Sequence, residues 1–232
     1  MTYQQIIKGV FHRRINRFIA EVCIQDVLHQ VHVKNTGRLR ELLKPGANVI
    51  LECSNNPKRK TPYSLIMVQK EGRWVNIDSL APNRVAFEAI RMGKVRELSP
   101  VKTLKREITY GNSRFDLYFE TDVDQGFIEV KGVTLENDGI AKFPDAPTVR
   151  GSKHIYELIK AKGDGYRCAI FFIVQMNRVK GFKPNWEMDK AFAQAVEEAR
   201  KRGVEVWVYD SIVTDDSFEL GKPLPYINDR SL

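Results

Sequence analysis

Cysteine is scarce. The three present, Cys23, Cys53 and Cys168, lie far apart in apolar segments of the 232-residue chain. No C-x-x-C pair or Cys/His cluster with zinc spacing accompanies them, which argues against a disulfide framework or a thiolate zinc site. The thiols are read as reduced packing residues. Long apolar runs are missing too: nothing reaches the roughly 18 residues that cross a bilayer, and the opening MTYQQIIKGVFHRR holds no run of signal-peptide length. The expected compartment is the cytoplasm, with no membrane partner. A P-loop, a G-x-G-x-x-G after a strand and a G-x-S-x-G elbow are also absent, which argues against a nucleotide-driven or small-molecule enzyme of those classes.

Basic charge is abundant. The net charge is +8 and 43% of residues are hydrophobic, as in a chain that buries real cores. Up to residue 82 there are 13 Lys and Arg against 6 Asp and Glu, and beyond it 24 against 23. A positive field confined to one third of a chain suits a polyanion-binding module, since phosphate contacts release counterions. Expected strands over 6–11, 17–25, 27–33, 47–53, 63–69 and 74–77 are divided by turn residues. A short helical turn is expected where Leu39, Leu42 and Leu43 precede Pro45-Gly46. This pattern reads as an OB-like small β-barrel over residues 1–82. Its basic clusters, Arg13, Arg14 and Arg17 in one connection and Lys58, Arg59 and Lys60 in another, are candidate phosphate contacts.

From residue 83 to 232 the pattern is mixed α/β. A helix is expected from Asn83, as its cap, to Gly93; strands over 104–110, 114–120 and 127–135; a long Asp/Gly/Pro-rich loop over 136–150; a helix over 152–162; a buried strand over 168–174; a helix over 189–202; and a strand over 204–209. Glu129 and Lys131, two apart in a strand, leave one face. With a turn at 121–124, antiparallel pairing places Asp116 opposite Glu129. Facing carboxylates repel unless a cation lies between them, and Mg²⁺ (or Mn²⁺) commonly takes one or two carboxylates and shares its shell with phosphate. Asp116, Glu129 and Lys131 are therefore the candidate catalytic set. Arg150 and Lys153, near a helix start, are further phosphate candidates, and the expected partner is nucleic acid, most readily DNA. His154 beside them suits a structural hydrogen bond better than a general base.

An αβββαβ order with D-x12-E-x-K on its second and third strands resembles the PD-(D/E)XK nuclease core, in which two acids ligate metal and the lysine assists. That resemblance implies Glu88 as a third acid and metal ligand, although Arg84 and Arg91 are placed to pair with it. Several longer segments resemble the sugar fermentation stimulation protein family: Lys34-Asn-Thr-Gly37, Ser54-Asn-Asn-Pro-Lys-Arg-Lys60, Gly111-Asn-Ser-Arg-Phe-Asp116, Glu129-Val-Lys-Gly-Val-Thr-Leu135, Phe143-Pro-Asp-Ala146 and Arg150-Gly-Ser-Lys-His154. The resemblance spans nearly the whole chain. It implies an OB-like domain, a PD-(D/E)XK-like domain, non-specific DNA binding and a role in regulating sugar (maltose) metabolism. The expected activity is metal-dependent phosphodiester hydrolysis, the alternative a non-catalytic DNA-binding regulator.

Overall fold

Burial alternates along the first strands. In β2 (Ile19–Ile24), Ala20, Val22 and Ile24 are buried while Ile19, Glu21 and Cys23 are half-buried, as a strand with one wet face requires. The computed structural model describes residues 1–35, 37–98 and 100–228. Together β1 (Ile6–Arg14), β2, β3 (Val27–Val33), β4 (Asn48–Cys53) and β5 (Tyr63–Lys70) run in the order β3-β2-β1-β4-β5. The parallel pairs His32↔Ser64 and Val33↔Leu65 join β3 to β5 and close a five-stranded OB barrel. β6 (Arg73–Asn76) continues β5 as a hairpin. The helical turn expected near Leu39 is no helix: Leu39 has φ +49°, and Leu42 and Leu43 both donate to its carbonyl at 3.1 and 2.9 Å. One turn between a positive φ and Pro45 is too short to propagate, yet all three leucines are buried in the barrel core.

The second sheet has the order β15-β14-β12-β9-β8-β7. The unit that carries it comprises α1 (Ala81–Arg91), β7 (Thr103–Tyr110), β8 (Ser113–Glu120), β9 (Gln125–Val133), β10 (Leu135–Asn137), β11 (Ile140–Phe143), α2 (Val149–Gly163), β12 (Arg167–Val174), β13 (Gly181–Pro184), α3 (Lys190–Lys201), β14 (Glu205–Val213) and β15 (Phe218–Pro223), with β10, β11 and β13 in a separate small sheet. Strands β9, β12 and β14 are parallel, and β12 buries both faces, as its unbroken apolar run required. One face packs on α1 through Val85, Ala86 and Ala89. The other packs on α2 and α3 through Ile155, Leu158, Phe192 and Val196.

Three expectations change here. Helix α1 starts at Ala81-Pro82, because proline fits a position whose N–H has no helical partner, so Asn83 lies inside the helix and its side chain is free for other work. The expected 136–150 loop is largely structured. A β10–β11 hairpin turns at Asp138 and Gly139, both at positive φ, and β11 pairs with β13. The chain's first residues do not belong to the barrel: Thr2 bridges Ser217, and the Met1 ammonium donates to Phe218 O at 2.9 Å. The two units are further joined by the buried Arg73–Glu136 ion pair, by Lys70 Nζ to Glu136 Oε2 at 2.9 Å, and by Asn76 N–H to Gln175 O at 2.9 Å. No helix among the described residues is long and apolar enough to cross a membrane.

Candidate functional site

The expected register holds where β8 meets β9. Pairs run from Glu120↔Gln125 to Leu117↔Ile128, and the ladder stops one step before Asp116 and Glu129. There β8 turns over: Phe115 packs on the α2/α3 side, Leu117 and Phe119 on the α1 side. The Asp116 carboxylate takes the place of a ladder carbonyl, its Oδ2 accepting from Val130 N–H at 2.8 Å, while Oδ1 accepts from Asn83 Nδ2 at 2.7 Å. Asn83 reaches it because α1 starts early.

Glu129 and Lys131 both face α2. Glu129 is 2% exposed, and its Oε1 accepts from Lys131 Nζ and from His154 Nδ1, each at 2.5 Å. With Nδ1–H given to Glu129, the His154 Nε2 is an acceptor, and Arg150 Nε lies 3.4 Å from it. The start of α2 is fixed by its cap: Thr148 Oγ1 accepts from Gly151 N–H at 3.0 Å, and Thr148 N–H donates to Asp189 at 2.8 Å. Glu129 Oε2 is buried without any hydrogen-bond partner. A buried carboxylate oxygen left bare is costly unless something positive meets it.

The electrostatics separate the two acids. Burial, then the nearby Glu129 charge, push the Asp116 carboxyl up to about 6 despite Lys131, Val130 N–H and Asn83. Burial also acts to raise Glu129, but the Lys131 charge and the hydrogen bonds from His154 and Lys131 outweigh it and hold that carboxyl below its usual range. The donor set suits a hard cation that takes one or two carboxylates and completes its shell with water and phosphate. Among the described residues, no three of His, Cys, Asp and Glu converge at metal-holding spacing.

Glu88 is not part of this set. One residue along the helix turns the side chain by about 100°, so Asn83 and Phe87 face β7 and β8 while Arg84 and Glu88 face the chain's start. Glu88 is held by Arg84 Nε at 2.9 Å and the Met1 ammonium at 3.1 Å. Asn83 occupies the place by Asp116 that an acid from the helix was expected to take.

Arg14 also changes role. Its Nε donates to Asn16 O, Nη1 to Gly37 O and Arg38 O, and Nη2 to Arg17 O and Asn35 O, at 2.7–3.2 Å. All five donors of the guanidinium are engaged in tying two loops together, leaving none for phosphate. Arg13 pairs with Glu21 at 2.6 Å on the surface. Arg59 is half-buried and bonds Ser64 Oγ at 3.0 Å, whereas Lys58, Lys60, Arg17, Arg150 and Lys153 are exposed. The loops that Arg14 ties present Arg17, Arg38 and Arg40 around one basin. Arg38 and Arg40 escaped the sequence reading because they flank buried Leu39 and form no run of basic residues.

Between the two units lies a cleft of about 470 Å³, walled by Arg17, Asn35 and Ser79 on one side and by Thr134, Asp145 and Arg150 on the other. Gly132, the neighbour of Lys131, lines its floor beside Gln175. A Cβ there would overlap Gln175 Oε1 and lie 2.6 Å from Pro82 Cγ, so only glycine lets α1 and Gln175 approach β9 this closely.

Comparison with known proteins agrees with this architecture. A family model described as "SfsA N-terminal OB domain" matches residues 13–77, and one described as "Sugar fermentation stimulation protein RE domain" matches residues 80–217. A sugar fermentation stimulation protein homolog of Alkaliphilus oremlandii is 54% identical over 226 residues, covering 95% of this chain and 96% of the relative. One from Clostridium tetani is 46% identical over 225 residues, covering 97% and 98%. A solved structure described as Pyrococcus furiosus SfsA in complex with Ca²⁺ superposes with a TM-score of 0.90 at 30% identity, covering 98% of each chain. The chain belongs to the sugar fermentation stimulation protein family.

Proposed function

We propose that this protein is a metal-dependent phosphodiesterase acting on nucleic acid, with Asp116 and Glu129 as the metal-holding acids and Lys131 as the phosphate-side cation. The observation that carries the reading is the bare, buried Glu129 Oε2 next in register to the Asp116 carboxylate, which burial and Glu129 make costly to ionise. The Ca²⁺ named for the Pyrococcus relative supports a hard-cation site in this architecture. Glu129 offers Oε2 because Lys131 and His154 occupy Oε1. Asn83 and Val130 N–H hold the Asp116 carboxylate in one orientation. A Mg²⁺ or Mn²⁺ bound by these acids supplies charge stabilisation for the phosphate and acidifies a coordinated water. Lys131, 14% exposed in its side chain, keeps its ammonium beside that phosphate and stabilises developing negative charge. His154 Nδ1–H and Arg150 set the direction of Glu129 from α2.

The substrate favoured by the exposed basic loops is nucleic acid, DNA before RNA, held through phosphate contacts. Purified protein is incubated with labelled single- and double-stranded DNA and RNA in Mg²⁺, Mn²⁺ or EDTA, beside Asp116→Ala and Lys131→Ala. Cleavage by wild type in metal, lost in EDTA and in both variants, is the expected result. Binding without cleavage on every substrate would sink the enzyme reading and leave a DNA-binding regulator of sugar metabolism.

A further inference from the structure

We infer that the nucleic acid enters this site as a single strand, its phosphates crossing a basin of Arg17, Arg38 and Arg40 and its bases entering the cleft between the two units. This rests on the proposed nuclease site and adds the form of its substrate and the path it takes.

The basin and the cleft are neighbouring hollows that share Arg17 and Gly37. The basin holds about 490 Å³ and is exposed. Arg17, Arg38 and Arg40 make no ion pair among the described residues, and the acid nearest the shared Gly37 is Asp145, on the cleft side. Such arginines on a fixed loop suit phosphate tracking. The loop is fixed twice. Arg14 donates to the carbonyls of Asn16, Arg17, Asn35, Gly37 and Arg38, and Asn16 Oδ1 accepts from Phe18 N–H and Ile19 N–H at 2.9 and 3.0 Å. Past Gly37 the path descends into the cleft, where Gly132 and Gln175 lie on the floor and Arg150 bonds His154 beside Glu129.

The dimensions select the strand form. A volume of about 470 Å³ lies in the range that holds one small ligand, about 300–1,000 Å³. It accepts a nucleotide and excludes a base-paired helix. Opening the units to admit a duplex would break Arg73–Glu136, buried at 8% and 3% exposure, and Lys70–Glu136. Separating such a buried pair leaves uncompensated charge in the interior. The lining is also suited to bases: Asn35, Ser79, Thr134, Asp145 and Gln175 offer polar atoms, and Gln175 is oriented by giving Nε2 to Asn76 O at 2.9 Å.

The test reads binding, without cleavage, in EDTA and in Ca²⁺. Fluorescein-labelled oligonucleotides of about 12 residues, within the span of one barrel site, are used as single-stranded DNA, single-stranded RNA and a hairpin-capped DNA duplex. The proteins are wild type, Arg38→Ala/Arg40→Ala, and Lys201→Ala as a control on exposed α3. Single strands are expected to bind at least about tenfold tighter than the duplex. The double variant should weaken single-strand binding about tenfold and lower the salt slope by about 1.4, near 0.7 per lost phosphate contact, with thermal stability unchanged. Duplex binding as tight as single-strand binding, an unaffected double variant, or no binding of any strand overturns the inference. Single-strand binding that fails to lead to cleavage in Mg²⁺ removes the nuclease reading and leaves this path standing. Cutting of a closed circular duplex by the double variant at the wild-type rate keeps the nuclease reading and removes this path.

Discussion

Replacing Asp116 by asparagine should stabilise the metal-free protein at neutral pH while destroying its response to metal. The Asp116 carboxyl is pushed from 3.8 to about 6, chiefly by burial and then by Glu129. Each pKa unit corresponds to about 1.4 kcal/mol, so the ionised form is disfavoured by at most about 3 kcal/mol in the folded state. Asp116 is half-buried, and water relaxation reduces that to about 1–2 kcal/mol. The folded state binds this proton more tightly than the unfolded chain does. The carboxyl therefore costs nothing below about pH 4, costs progressively more as pH rises to about 6, and costs its full amount above that. Asparagine mimics the protonated acid. It can still accept from Val130 N–H, and a rotated Asn83 amide can accept from its Nδ2, so both hydrogen bonds survive. Urea unfolding in EDTA should show no gain for the variant near pH 4 and a gain of about 1 kcal/mol near pH 8. Added Ca²⁺ or Mg²⁺ should raise wild-type stability by mass action and leave the variant nearly unmoved. A variant destabilised equally at both pH values would falsify the repulsion argument, because hydrogen bonding alone would then account for Asp116.

Other substitutions separate site from scaffold. Glu129→Gln removes the charge that Lys131 and His154 share, and should cost about 3 kcal/mol because an uncompensated ammonium remains buried; since the Glu129 carboxyl is held low, the stability it confers is present above pH 4.5 and lost as pH falls through its depressed value, so the variant should show a flatter acid limb in pH-dependent unfolding. Arg14→Lys keeps the charge yet abandons most of five carbonyls, and a loss of about 2–3 kcal/mol in thermal unfolding is expected, against little change for Arg13→Ala, whose pair with Glu21 is solvent-screened. Equal effects at the two arginines would contradict the loop-tying role. Gly132→Ala should cost about 1–3 kcal/mol by overpacking against Pro82; calorimetry showing no loss would mean that α1 can retreat from β9.

Much of this fold was legible from residue patterns. Alternation in the first eighty residues, the unbroken apolar run of β12, and Glu129 and Lys131 two apart on one strand follow from local geometry, and the 121–124 turn fixed the register that brings Asp116 towards Glu129. These are short-range consequences of side-chain period and turn length. Where α1 began was less legible, because Pro82 favours an earlier start than a cap at Asn83, and the cap lies three residues earlier, at Leu80, with Asn83 rather than Glu88 beside Asp116. The β10–β11 hairpin was masked by Asp, Gly and Pro, which serve turns and loops alike. Folding alone decided which charges are spent and which are free: Arg14 disappears into backbone carbonyls, Arg38 and Arg40 emerge around a basin, and His154 comes across from α2 to Glu129. Most of these partnerships join residues 21 to 25 positions apart, and a linear pattern carries no record of which distant group will meet a side chain once the core has closed.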